Sequence, residues 1–342
     1  MSFTTRPCRD EHTGIKTAVF CVYRCDRKYL SLLEYYKQDI DILERLGYKV
    51  IIATKISEFP SHCDLFVLWW WRWLWLVGPI VKMRKWTLCV TGTFDTDAYA
   101  KRPKWQKLMI KSGFRWGDLN IFVGKEMMAE AQRIGTLKRA SYSPHIISDQ
   151  YAVNTSVSRN PHIVFNIAHK MISNMNRKMI PELVEAFAIV LKSIPDAHLI
   201  LAGEPSTGQI ILETRVKELG IENAVTFLGI ISFEDKINYL QSCGVYCQVS
   251  RYEGFGLAIA EAMACGAPVL VSNCGSVPEV VGDAGMYVPD LSVESIASSL
   301  LTLMTDRQLA DSYGAKASDR INTCFRQTVR YEHFRSELSK LD

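Results

Sequence analysis

The chain predicts an α/β protein of two doubly wound domains, each built on a parallel sheet. Three observations carry this. Strands alternate with helices through residue 134, the same rhythm restarts after a polar, breaker-rich stretch, and 342 residues exceed one ordinary core. The first strand is the apolar run 17–23. Residues 32–46 follow as an amphipathic helix ended by Gly47. Strands are predicted at 48–54, 64–69 and 86–91, a helix at 103–112, a strand at 119–123 and a helix at 125–134. Residues 148–161, which include Asn154-Thr155-Ser156 and Asn160-Pro161, read as the linker. The second domain then runs through a strand at 162–167, a helix at 180–193 and a strand at 198–202 closed by Gly203. A helix at 210–219 leads to a strand at 225–228 closed by Gly229. A helix at 233–242 and a strand at 245–249 complete the series, and a last helix covers 325–341. The domains are therefore assigned to 1–150 and 151–322, with 323–342 as a C-terminal helical segment.

Composition narrows the class. No 18-residue uncharged apolar run is present, which argues against a spanning helix, and residues 1–16 lack a signal-peptide core. The ten cysteines are scattered without C-x-x-C spacing, mostly in apolar runs, as expected of reduced thiols in a cytoplasmic protein. Residues 1–150 hold 24 Lys/Arg against 15 Asp/Glu, and the remainder 16 against 21. A basic first half fits an anionic partner or surface. No nucleic-acid motif accompanies it, so nucleic acid is not expected.

The most informative segment runs from Tyr252 to Pro268. Glu253 and Glu261 stand eight positions apart around Gly254-Phe255-Gly256-Leu257, and the glycine-rich turn feeds a helix over 257–265 that Gly266 and Pro268 stop. Free N–H groups at that helix start suit a phosphate. The two carboxylates are pure acceptors and suit sugar hydroxyls.

This element resembles the E-x7-E signature of retaining glycosyltransferase family 4, and the likeness extends through most of residues 160–325. The resemblance implies a GT-B fold, with two Rossmann-like domains facing a cleft and the last helix returning to the first. It implies transfer of a hexose from a UDP-, GDP- or other nucleotide sugar to a glycan or lipid-linked acceptor, with no metal and no cofactor. Asn176-Arg177-Lys178 resembles the basic segment whose lysine grips the diphosphate, so Lys178 and Arg177 are the expected catalytic cations. Glu253 would meet the donor sugar or the reacting centre, and Glu261 the ribose. Gly254, Phe255, Gly256 and Leu257 would offer N–H groups, while Gly203, Gly229 and Ile230 would frame the donor. Glu279, in Gly275-Ser276-Val277-Pro278-Glu279, matches a recurrent position read as structural, and His145 is read the same way.

The chain departs from the family at three places. After the 162–167 strand an expected Gly-Arg is replaced by Ala168-His169-Lys170, leaving Lys170 or Arg177 to supply that charge. Tyr23-Arg24-Cys25-Asp26 stands where a Gly-Gly loop is usual. After the fourth strand a histidine is missing, and Asp95 approximates the aspartate beside it, either as a cleft residue or as a plain turn. These departures keep open a degenerate nucleotide-sugar-binding protein and a GT-B-like epimerase or phosphorylase beside the transferase.

The run Trp69-Trp70-Trp71-Arg72-Trp73-Leu74-Trp75 has three readings. It forms a face for anionic membrane, fills the first core, or stacks on an acceptor sugar. Ten Lys/Arg against Asp95 and Asp97 over residues 72–116 fit the first, and hence a peripheral position on the cytosolic membrane face. The setting this suggests is polysaccharide or glycoconjugate synthesis.

Overall fold

The computed structural model describes residues 15–94 and 99–341. The chain divides into two compact units. The first comprises Met1–Phe122, Met128–Tyr142 and Tyr331–Asp342, and the second Val123–Met127 and Ser143–Arg330. The main divide thus falls at Tyr142/Ser143, earlier than the expected boundary at residue 150. The chain enters the first unit again inside the helix Gln327–Leu338, later than the expected 323.

The first unit holds strands β1 (Thr17–Cys21), β2 (Lys49–Ala53), β3 (Leu65–Trp69), β4 (Thr87–Gly92), β5 (Leu119–Phe122) and β6 (Ala140–Tyr142). They form one parallel sheet in the order β2-β1-β3-β4-β5-β6. The strands are continuous apolar runs because helices cover both faces. Phe20, Val67, Cys89 and Ile121 line one core face, to which the last segment of the chain adds Phe334 and Leu338.

The second unit holds β7 (Asn160–Ile167), β8 (His198–Ala202), β9 (Val225–Gly229), β10 (Cys243–Gln248), β11 (Val269–Val271) and β12 (Met286–Tyr287). Their order is β9-β8-β7-β10-β11-β12, again all parallel. This is the doubly wound order 3-2-1-4-5-6, in which the chain reverses direction between its first and fourth strands. The crevice beyond the carboxyl ends of β7 and β10 is therefore where a ligand belongs.

Several elements differ from the sequence reading. The expected helix 32–46 is two helices, Arg27–Leu32 and Glu34–Arg45, separated where Leu33 turns extended. The tryptophan run continues into an unexpected helix, Leu74–Met83, with Pro79 inside it. Unexpected too are the short helix Ile172–Arg177 and the pair Val293–Thr305 and Arg307–Cys324.

The tryptophans of the run divide between interior and partly buried positions. Trp69 and Trp71 are each 1% exposed. Trp69 Nε1 donates to Asp39 Oδ2 at 3.1 Å, and Trp71 Nε1 donates to Asn120 Oδ1 at 3.0 Å while its ring stacks on Phe122 at 4.3 Å. Partly buried Trp70 donates to the Tyr36 hydroxyl at 3.1 Å. Core packing thus claims Trp69 and Trp71, which corrects the expectation of a membrane face extending over 69–75. Among the described residues no helix is long and apolar enough to cross a membrane, and the nine described cysteines are free.

Candidate active site

β10 builds the floor of the site through its alternation. Val245, Cys247 and Val249 point into the apolar core of the second unit, so Tyr246, Gln248 and Ser250 share the opposite side. These polar groups reach Glu253 in the loop beyond the strand. Tyr246 Oη donates to Gln248 Oε1 at 2.7 Å, Gln248 Nε2 donates to Glu253 Oε1 at 2.9 Å, and Ser250 Oγ donates to the same oxygen at 3.0 Å. The Ser276 amide donates to the Glu253 carbonyl at 3.1 Å and fixes its backbone.

Two cations close on that buried carboxylate from beyond β7. Lys178 Nζ lies 3.0 Å from Glu253 Oε1, and Arg177 Nη1 lies 3.3 Å from Oε2. Arg177 is itself oriented: Nη1 donates to the Tyr252 carbonyl at 2.5 Å and Nη2 to Asn174 Oδ1 at 2.7 Å. Burial pushes the Glu253 carboxyl up, but the charges of Lys178 and Arg177, with hydrogen bonds from Lys178 and Ser250, win and hold it below the usual range. Lys178 caps Ile172–Arg177, and one residue later Met179, at φ 46°, turns left-handed to start the helix Ile180–Val190. That conformation costs a methionine about 1–3 kcal/mol, offset by a side chain that is fully buried in the core.

The glycine-rich loop enters its helix as expected. Gly256 is left-handed at φ 91° and starts Leu257–Ala264, with Cys265 and Gly266 ending it. The helical series opens with the Ala260 N–H bonded to the Gly256 carbonyl at 3.0 Å, so the N–H groups of Leu257, Ala258 and Ile259 have no helical acceptor. These orphan donors and the positive dipole end suit an anion. Phe255 contributes only its backbone there, because its ring is buried edge-on to His145 at 5.2 Å and Phe325 at 5.9 Å. Buried His145 has a pKa driven well down by burial and then by Arg330, so it packs as a neutral ring.

Glu261 is buried one and a half turns into this helix, and its Oε2 pairs with Lys236 Nζ at 2.6 Å. Lys236 also lies over the Tyr151 ring at 5.1 Å. Gly203 and Gly229 meet at the ends of β8 and β9, where the Gly203 N–H donates to the Gly229 carbonyl at 2.7 Å. Gly203 has φ 117°, and a Cβ there would stand 2.1 Å from the Ala168 carbonyl oxygen, so no other residue fits. Ile230 is 74% exposed beside them.

The two candidates for the missing arginine separate clearly. Lys170 is fully buried and its Nζ donates to the Gly203 carbonyl at 3.0 Å; burial alone lowers its pKa to about 8. Its charge is directed into the protein, whereas Arg177 reaches the Glu253 cluster. Glu279 is structural: within the second unit its carboxylate accepts the Lys125 and Glu126 amides at 2.8 and 2.9 Å. Asp95 lies outside the described residues.

Sequence reasoning missed Lys236, Gln248 and Ser250. Gln248 and Ser250 were detectable, since polar residues at period two inside a buried parallel strand need a polar partner. Lys236 left no signal on its helix.

Two parallel six-stranded sheets, with the glycine-rich loop between β10 and β11, make a GT-B fold. Solved structures agree. Sucrose-phosphate synthase from Thermosynechococcus elongatus superposes with a TM-score of 0.79 at 18% identity, over 95% of this chain and 99% of that one. Anabaena HepE, solved in complex with UDP and glucose, gives 0.79 at 17% identity over 95% and 100%. Residues 171–320 match the family described as glycosyl transferases group 1. Among curated relatives, N-acetyl-alpha-D-glucosaminyl L-malate synthase of Bacillus anthracis is 33% identical over 169 residues, 48% of this chain and 41% of that protein. O-antigen chain mannosyltransferase B of Escherichia coli is 33% identical over 159 residues, 45% and 42%. The matched region thus spans about two-fifths of the length of these relatives.

Proposed function

We propose that the protein is a metal-independent, retaining hexosyltransferase that moves a sugar from a nucleotide-sugar donor to an acceptor in polysaccharide or glycoconjugate synthesis. The convergence of Lys178 and Arg177 on Glu253, beside the open start of the helix Leu257–Ala264, carries this reading. Cleaving a nucleotide-sugar bond leaves a diphosphate of growing negative charge. Two side-chain cations and a row of unpaired N–H groups supply a preorganised positive field for it, the part a divalent ion otherwise plays. Glu253, kept ionised, accepts from donor-sugar hydroxyls as the cations turn to the phosphate. Glu261 accepts from the ribose. The leaving phosphate then takes the acceptor proton on the same face, which needs no separate side-chain base.

The similarity to a synthase and a mannosyltransferase supports turnover over a binding-only protein. A cytoplasmic protein resting on an anionic membrane fits the exposed Trp105 and Leu108, one turn apart on the helix Lys104–Gly113 and flanked by Lys104 and Lys111. The test is product analysis with EDTA present. Release of nucleoside diphosphate together with an α-linked product from an α-linked donor supports the reading; strict dependence on added metal, or inversion, sinks it.

A further inference from the structure

The first unit carries its own switch point. In the order β2-β1-β3-β4-β5-β6 the winding reverses between β1 and β3, and doubly wound sheets bind ligands beyond the carboxyl ends of such strands. The loops there are unusual in both charge and conformation. Arg24 follows β1 at φ 61° and Trp70 follows β3 at φ 83°, two non-glycine residues in the left-handed region that favours glycine.

These loops gather cations on an aromatic platform. The Arg24 guanidinium lies 5.4 Å from the Trp73 ring and 5.8 Å from the Tyr23 ring. The Arg72 guanidinium lies 5.7 Å from the Trp73 ring and 5.6 Å from the Trp70 ring. Both arginines are exposed, and among the described residues neither has a carboxylate partner. The Asp26 carboxylate, next but one to Arg24 in the chain, pairs with Lys28, and Glu58 pairs with Arg27. The Trp73 Nε1–H is buried and has no acceptor among the described residues, which is costly for an indole unless a ligand oxygen provides one.

We propose that Arg24, Arg72 and Trp73 form an acceptor subsite for a negatively charged group, a carboxylate or a phosphate, borne by the molecule that receives the sugar. The inference rests on the transferase reading and deepens it. Planar guanidinium forks grip either anion with two parallel hydrogen bonds, the indole N–H adds a third donor, and the aromatic faces pack against the acceptor's apolar side. The donor's diphosphate has its own cations in Lys178 and Arg177, so this second pair is left for a different anion.

The test is calorimetry on the full chain with glucose 6-phosphate, glucuronate and glucose as probes, and UDP titrated in parallel. Wild type, R24Q, R72Q and R24Q/R72Q are compared, with folding checked by circular dichroism. The expected result is that one or both charged probes bind at least ~10-fold more tightly than glucose, and that each single change costs ~10-fold. The double variant loses the preference while UDP binding stays intact. Glucose 6-phosphate and glucuronate separate the phosphate and carboxylate forms. Equal binding of glucose, an unchanged double variant, or no charged probe binding to a chain that binds UDP overturns the subsite. Loss of UDP binding in the double variant assigns the arginines to the donor instead and also overturns it. Failure of wild type to bind any nucleotide, with the charged probes still bound, defeats the donor reading and not this one.

Discussion

Lys178 Nζ stands 3.0 Å from Glu253 Oε1, so the site holds its principal cation against its principal carboxylate. A diphosphate arriving at the loop competes for that lysine with a stronger and growing charge. Lys178→Ala should therefore lower kcat by about 10²–10³ while weakening donor affinity much less, since the interaction matures in the transition state. Steady-state kinetics beside calorimetric donor titration separate the two. An equal loss in both would make Lys178 a binding residue only.

The same pair makes stability depend on acid. The Glu253 pKa in the fold lies below its ordinary 4.5. Its contribution is therefore complete above about 4.5 and is lost as pH falls through the lower folded value. Urea unfolding of wild type and Glu253→Gln from pH 7 to pH 3 should show the wild-type advantage shrinking only in the acid part of that range. A constant difference would mean that Glu253 is not held ionised.

Lys170 gives a separate signature in alkali. Its folded pKa is about 8 against an ordinary 10.5, so between those values the unfolded chain binds more protons and stability rises with pH. Relative to Lys170→Met, wild type should gain roughly 3 kcal/mol from pH 8 to 10.5. Parallel unfolding curves across that range would show that the ammonium is solvated and free to act at the site.

Glu261→Ala should weaken nucleotide binding about 10- to 100-fold through lost hydrogen bonds to a charged acceptor. It also releases Lys236 from its 2.6 Å pair, so Lys236→Met is the control. If both changes weaken UDP binding equally, the pair acts as a unit. If neither does, Glu261 is not the ribose ligand.

The tryptophans divide into interior and surface. Trp71→Ala should cost about 3–5 kcal/mol, because it removes a buried ring stacked on Phe122 and takes the indole donor from Asn120 Oδ1. Trp105→Ser should leave stability within about 0.5 kcal/mol but reduce sedimentation with phosphatidylglycerol vesicles. Unchanged sedimentation would remove the membrane reading of the helix Lys104–Gly113.

The sequence was most legible where local chemistry decides the structure. From Glu253 to Pro268 the left-handed glycines, the helix formers and the proline stop each act within a few residues, and the loop, helix and strand follow in that order. The alternation of apolar strands with helices exposed both parallel sheets for the same reason. What stayed hidden depends on distant partners. The helix Leu74–Met83 tolerates Pro79, and the burial of Trp69 and Trp71 follows from Asp39 and Asn120, which are far away in the chain. Lys170 and Lys178 look equivalent as letters, and only the Gly203 carbonyl shows that one of them is spent on the interior.

The most direct test of the account is calorimetric titration of the wild-type chain with UDP-, GDP-, ADP- and dTDP-sugars in EDTA, repeated with Glu261→Ala. The account predicts that at least one donor binds without metal and that the variant loses most of that affinity. A folded wild type that binds none of them, or a variant that binds as well as wild type, would contradict it.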